Sequence, residues 1–221
     1  MVASGVAMRT STALFALAGL GAALFLGLAA AVHLGGLVGI DTAIREAVHR
    51  LSSPRMTVAA SGVTRLGSLG PILVFAAIAV AVLIRAHRRG EAVLLVATLV
   101  AALAFENGLK YLFHRPRPAP FFGTDPSSYS FPSGHALFAL GFYGMLAILV
   151  GRAVQSDAAK AGLWAATSLL VLAIGASRIY LGVHYPSDVL AGYLVAAALV
   201  AILLGAERRL QFEKVVPPER L

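Results

Sequence analysis

Residues 92–109 read AVLLVATLVAALAFENGL, and residues 110–118, which follow directly, read KYLFHRPRP. A helix that crosses the hydrocarbon core of a bilayer needs about 20 predominantly apolar residues. The first stretch meets that need with Glu106 as its single charged side chain, and the second then delivers Lys110, His114, Arg115 and Arg117 within a few positions. An apolar span that ends in a cluster of cations is the feature from which the rest of the chain can be read.

Working outward, five more runs have the same character: 12–34, 66–84, 133–150, 161–177 and 189–205, none of which contains Asp, Glu, Lys or Arg. None shows the period-two alternation of a membrane β-barrel, so the backbone must satisfy its hydrogen bonds as helices. The expected fold is all-α, a polytopic bundle of six transmembrane helices. The composition agrees: 59% of the 221 residues are hydrophobic and 13% charged, against about 45–50% and about 25% in soluble domains. The net charge of +8 is not spread as a basic stripe interleaved with stacking aromatics, which excludes nucleic acid as a partner. Cysteine is absent, which excludes disulfides, thiolate metal sites and cysteine nucleophiles. The first run resembles a signal peptide around Ala29–Ala31, but its apolar stretch is too long and only Arg9 precedes it, so a retained helix is expected.

Between the first two runs, Gly35 and Gly36 break the helix. In 40–51, Ile40, Ala43, Ile44, Ala47, Val48 and Leu51 share one helical face, and Arg45, Glu46, His49 and Arg50 lie opposite. That pattern predicts a helix lying in the membrane interface, a collar around the bundle, with a second such stretch starting at Pro54. Three parts follow: 1–65 with the first helix and the collar, 66–205 as a five-helix core, and 206–221 as a charged cytoplasmic tail. With the N-terminus inside, the inner connections hold ten Lys and Arg residues and the outer ones eight. Three of those eight, Lys110, Arg117 and Arg178, stand in the clusters described next. The bias places both termini in the cytoplasm.

Polar residues at the ends of membrane spans are costly, so clusters of them point to a site. There are three: 110–118; Phe131-Pro132-Ser133-Gly134-His135; and Ser177-Arg178 followed by His184-Tyr185-Pro186-Ser187-Asp188. Spans three and five end on the face where spans four and six begin, so all three clusters share that face. Lys110, Arg117 and Arg178 bring three cations to one mouth, and Arg grips phosphate oxygens bidentately. Ser133 and Gly134, at a helix start, offer backbone N–H groups, a hydroxyl and the positive end of a helix dipole. His135 and His184 suit nucleophilic and acid–base work near neutral pH. Asp188, four residues after His184, can accept the imidazole N–H and fix its tautomer. Glu106, one turn before Lys110, is expected to brace that lysine, with Asn107 available for the same purpose. Tyr111, Tyr180 and Tyr185 read as interfacial anchors.

The sequence here resembles the type 2 phosphatidic acid phosphatase family, which is related to the vanadium-dependent haloperoxidases. Its three signatures, Lys-x6-Arg-Pro, Pro-Ser-Gly-His and Ser-Arg-x5-His-x3-Asp, occur as Lys110 to Arg117-Pro118, Pro132 to His135, and Ser177-Arg178 to His184 and Asp188. The resemblance covers about residues 66–205. It implies His184 as the nucleophile that forms a phosphohistidine, Asp188 as the group that orients it, and His135 as general acid and then base. Lys110, Arg117, Ser133, Gly134 and Arg178 would hold the phosphoryl group, with Glu106 and Ser177 behind them. It implies no metal and no cofactor, since fixed cations can supply the charge that phosphoryl transfer needs. A divalent ion among His135, His184 and Asp188 would also be repelled by those cations.

The implied activity is hydrolysis of a lipid phosphate or diphosphate at the extracytoplasmic face of a bacterial plasma membrane, with the lipid tail left in the bilayer. Undecaprenyl diphosphate is the expected substrate for a chain of this size. Phosphatidylglycerophosphate, phosphatidate, lipid A and a phosphotransferase reaction are the alternatives within the family. A lipid transporter or scramblase would explain six helices but not the His–Asp pair.

Overall fold

The computed structural model describes residues 2–123 and 128–215, and side chains from residue 10 to residue 211. The described residues form α1 (Val2–His33), α2 (Val38–Arg50), α3 (Pro54–Leu66), α4 (Leu69–Arg85), α5 (Arg89–Phe113), α6 (Gly134–Ala139), a π-helical turn (Leu140–Gly144), α7 (Met145–Gly151), α8 (Asp157–Tyr180) and α9 (Pro186–Val215). The segment from α6 through α7 forms one span, Gly134–Gly151.

Local chemistry sets several of the ends. The Ser53 hydroxyl accepts the Met56 N–H, with Pro54 in the first turn of α3, and Ser156 accepts the Ala159 N–H at the start of α8. Gly35, at φ +75°, terminates α1 in a conformation that Gly adopts without strain. α5 stops at His114, a non-glycine residue held at φ +45°.

The chain is an all-helical integral membrane protein. Among the described residues, five helical segments are long and apolar enough to cross a bilayer. α4, with 17 residues, would rise only about 25 Å at about 1.5 Å per residue, short of the roughly 30 Å hydrocarbon core. It reaches that length together with α3, from which it bends by 49°. The expected second span, 66–84, is corrected accordingly: Leu66 closes α3, and the break falls at Gly67 and Ser68, where a Cβ on Gly67 would collide with Ile174 of α8. The expected sixth span, 189–205, is likewise longer. α9 runs on to Val215, and Arg152 pairs with Glu207 at 2.6 and 2.9 Å just beyond the predicted end. Most of the tail expected at 206–221 is therefore helix, and 216–221, with Pro217 and Pro218, lie outside the described residues.

α9 is central, packed against α1, α5 and α6. The core between them holds Leu95, Phe131, Leu137, Phe142 and Met145, all fully buried. Apolar residues such as Leu26, Val58, Val93 and Leu169 point outward, toward lipid.

The collar helix α2 departs from a plain covering role. Its apolar residues Val38, Ile40 and Ile44 are exposed, while Asp41 and Arg45 are buried. Arg45, on the polar face opposite the apolar residues, points inward and donates to the carbonyls of Ala119 (2.8 Å) and Gly182 (3.1 Å). In a bilayer the apolar face is the one that can meet the surroundings, so the polar face turns to the protein.

Candidate active site

The three motif clusters meet in one cavity of about 290 Å³, lined by Glu106 and Lys110 of α5, Arg117, Gly134 and His135 at the start of α6, Arg178 of α8, and His184 in the α8–α9 loop. Leu69, Ser128 and Phe138 complete the wall. A larger groove of about 620 Å³ lies between α4 and α5. It is lined by Val80, Ile84, Val93 and similar residues, and among the described residues Arg89 is the only charged group in its wall. It faces the hydrocarbon and holds no chemistry.

His184 is 1% exposed. Its Nδ1 lies 3.4 Å from Asp188 Oδ2 and 3.4 Å from Ser130 Oγ, and its Nε2 lies 2.9 Å from Arg117 Nη1. Asp188 Oδ2 also accepts the Ser130 hydroxyl and the Tyr185 N–H, so the carboxylate is oriented by a ring of donors. With a carboxylate facing Nδ1 and a guanidinium donating toward Nε2, the network assigns the proton to Nδ1 and the lone pair to Nε2. Burial, and then the nearby Arg117 cation, push the His184 imidazole down to about 4 against the opposing pull of Asp188. The ring is therefore neutral at pH 7, the form that keeps a lone pair on Nε2.

The residues expected to hold phosphate are arranged around that nitrogen. Arg117 is fixed by donating to the carbonyls of Ser128 (2.6 Å) and Val183 (2.8 Å). Arg178 donates to Thr64 Oγ1 at 2.8 Å, while its buried Nε has no protein partner. The buried Ser133 hydroxyl also lacks a partner, and its backbone N–H donates to the Asp188 carbonyl at 2.9 Å, tying the start of α6 to α9. Buried donors of this kind without a protein partner are costly, and oxyanions satisfy them. Lys110 pairs with Glu106 at 2.5 Å, and Glu106 lies over Gly134, where a Cβ would come within 2.5 Å of its carboxylate. Gly134 is thus the residue that leaves Glu106 its place.

Some expected neighbours sit elsewhere. The Ser177 hydroxyl donates to Ile174 O at 2.6 Å, within its own helix, and does not line the cavity. Asn107 donates to Leu103 O rather than bracing Lys110. Tyr180 is buried, with its hydroxyl on Ser53 and Thr57, and Tyr185 lies under the Arg115 and Arg45 guanidinium groups, so neither is an interfacial anchor. Tyr111 is 76% exposed, as expected of an anchor. The sequence reading missed Ser130, Ser128 and Thr64, which carry no motif, and Asp41, whose only signal was a charge on an amphipathic helix.

The PAP2 superfamily model matches residues 91–211, the stretch that carries every motif. The chain belongs to the PAP2 superfamily. This PAP2 protein is 29% identical over 190 residues to phosphatidylglycerophosphatase B of Bacillus subtilis, covering 85% of this chain and 93% of the relative. It is 28% identical over 138 residues to the undecaprenyl-diphosphatase of Sulfolobus acidocaldarius, covering 60% of this chain and 63% of the relative. Its structure matches the crystal structure of a transmembrane PAP2-type phosphatidylglycerolphosphate phosphatase from Bacillus subtilis with a TM-score of 0.81 at 27% identity, covering 87% and 96% of the two chains. The PAP2 protein is a phosphoric ester hydrolase, a membrane lipid phosphatase.

Proposed function

We propose that this phosphatase acts on undecaprenyl diphosphate at the extracytoplasmic membrane surface, through a phosphohistidine on His184 and without a metal. The observation that carries the chemistry is the neutral, buried His184, with Nδ1 on Asp188 and Nε2 at a cavity lined by Lys110, Arg117 and Arg178. In the first step Nε2 attacks phosphorus, the N–P bond forms, and the P–O bond to the leaving group breaks. His135 gives its proton to the departing oxygen. In the second step His135 takes a proton from water, the resulting hydroxide attacks phosphorus, and the N–P bond breaks to release inorganic phosphate. The cations hold the equatorial oxygens throughout. The outward orientation is supported by the opposite end of the bundle, which gathers Arg85, Arg88, Arg89, Arg152, Arg208 and Arg209 as a cytoplasmic face does.

Phosphatidylglycerophosphate is the second reading, favoured by the 93% coverage of the Bacillus phosphatidylglycerophosphatase. The test is phosphate release by the purified protein from a panel of undecaprenyl diphosphate, phosphatidylglycerophosphate, phosphatidate and lipid A, with alkaline denaturing quenching to trap an acid-labile, base-stable phosphoenzyme. Highest kcat/KM on undecaprenyl diphosphate is expected. A preference for phosphatidylglycerophosphate selects the second reading, and no phosphohistidine on any substrate refutes the mechanism. For the membrane side, Ser52→Cys should react with an impermeant thiol reagent in intact cells and Gln155→Cys should not; the reverse pattern refutes the orientation.

A further inference from the structure

The buried carboxylate of Asp188 does not end its connections at His184. Its Oδ1 accepts from Arg115 Nη1 at 2.6 Å, and Arg115 Nη2 donates to Asp41 Oδ2 at 2.8 Å. Asp41 in turn accepts the Ser187 N–H (3.0 Å) and the Ser187 hydroxyl (2.6 Å), and Arg115 Nη1 reaches that same hydroxyl at 2.7 Å. Asp41 and Asp188 are 2% and 0% exposed. One guanidinium therefore bridges two carboxylates in the dry interior, and it joins α2, the segment after α5 and the start of α9. Arg115 does not line the catalytic cavity, so it cannot hold substrate from where it sits.

We propose that Asp41 and Arg115 are positioning residues for the His184–Asp188 pair, and that Asp41 keeps Arg115 from neutralising Asp188. The inference rests on the phosphohistidine reading above. Attack by Nε2 turns the neutral imidazole into a phosphoimidazolium cation, which Asp188 must stabilise through Nδ1–H. Paired with Arg115 alone, Asp188 would present almost no net charge to that cation. With Arg115 shared between two carboxylates, the Asp41–Arg115–Asp188 triad by itself carries one unit of negative charge, with the Arg45 cation beyond it, and the triad's charge is compensated as the imidazolium forms. Electrostatic support placed in advance where charge develops favours the transition state over the ground state. Arg115 also fixes the rotamer of Asp188, because its planar fork engages both oxyanions at set angles.

The test is a rapid-quench single turnover of radiophosphate-labelled phosphatidate by the full-length protein in detergent. It reads both the amplitude of phosphohistidine and the rate constant of its formation. Asp41→Asn keeps the shape and an acceptor for the Ser187 N–H but removes the charge. It should lower the rate constant roughly ten- to a hundredfold, the range that removal of the hydrogen-bond partners behind metal-ligating side chains produces, with KM in steady-state turnover changed by about twofold or less. A purely structural role would reduce the amplitude, the fraction of competent sites, and leave the rate constant alone; that result overturns the proposal, as does no change in either. Should Asp41→Asn fail to fold, Arg115→Lys keeps a cation that cannot bridge both carboxylates, and it should lower the same rate constant. A wild-type rate constant in Arg115→Lys also overturns the proposal. If the wild-type protein itself forms no phosphohistidine, it is the mechanism under Proposed function that fails.

Discussion

Gly192 lies one turn past Asp188 on α9, and its missing side chain is what lets α9 touch the start of α6. A Cβ placed there would stand 2.6 Å from Ser133 O, 3.0 Å from Ala136 Cβ and 3.1 Å from Leu137 N. Ordinary van der Waals contact begins near 3.4 Å, so in Gly192→Ala the first turn of α6 must retreat by about 0.8 Å, given that both helices are close-packed. That turn carries Ser133, Gly134 and His135, whereas His184 and Asp188 stay with α9. The substitution therefore moves the proposed proton-transfer group and phosphate cradle relative to the proposed nucleophile without deleting any of them. A misplacement of about 1 Å costs about a hundredfold in rate, so kcat should fall tens-fold to about a hundredfold, and overpacking should cost about 1–3 kcal/mol of stability. The assay is turnover of phosphatidate in detergent micelles alongside thermal unfolding, with Gly162→Ala as the control. Gly162 is exposed on α8 with nothing near its absent Cβ, so alanine there should leave turnover unchanged and raise stability by about 0.5–1 kcal/mol. Wild-type turnover and melting in Gly192→Ala would refute the claim that this contact sets the geometry of the site.

The two histidines should separate by leaving group: His184→Ala abolishes turnover on every substrate, whereas His135→Ala loses about 10²–10⁴-fold on a lipid monophosphate and less on an activated aryl phosphate. A His135 variant equally dead on both substrates, beside a His184 variant that retains activity, would reverse the assignment. Turnover should survive exhaustive chelation, because Lys110, Arg117 and Arg178 line the cavity and can take the phosphoryl charge; loss with EDTA that one divalent ion restores would overturn this. Because His184 is held down to about 4 from an ordinary 6.5, the unfolded chain takes up this proton first as pH falls. The His184 contribution to stability is therefore complete above about 6.5 and lost as pH drops toward 4. Melting temperatures should decline more steeply across that window in the wild type than in His184→Gln, and equal slopes would contradict it.

The sequence by itself determined the helical membrane fold and the meeting of three motifs at one end. Both depend on local properties: each apolar run must close its own hydrogen bonds in lipid, and an even number of crossings between clusters returns them to the same face. Glu106 beneath Lys110 was equally legible, since residues four apart on a helix are neighbours. The surroundings of Asp188 were not. Asp41 lies 146 positions from Ser187 and 74 from Arg115, and Thr64 lies 114 from Arg178; no periodicity connects such pairs. The orientation of α2 also escaped local reading, because amphipathicity gives two faces without saying which one meets the protein. Tertiary structure decided that by burying Asp41 and Arg45 against the motif-bearing loops. Two carboxylates flanking one guanidinium are tolerable in a dry interior only when all three are brought together, and only the packed bundle does so.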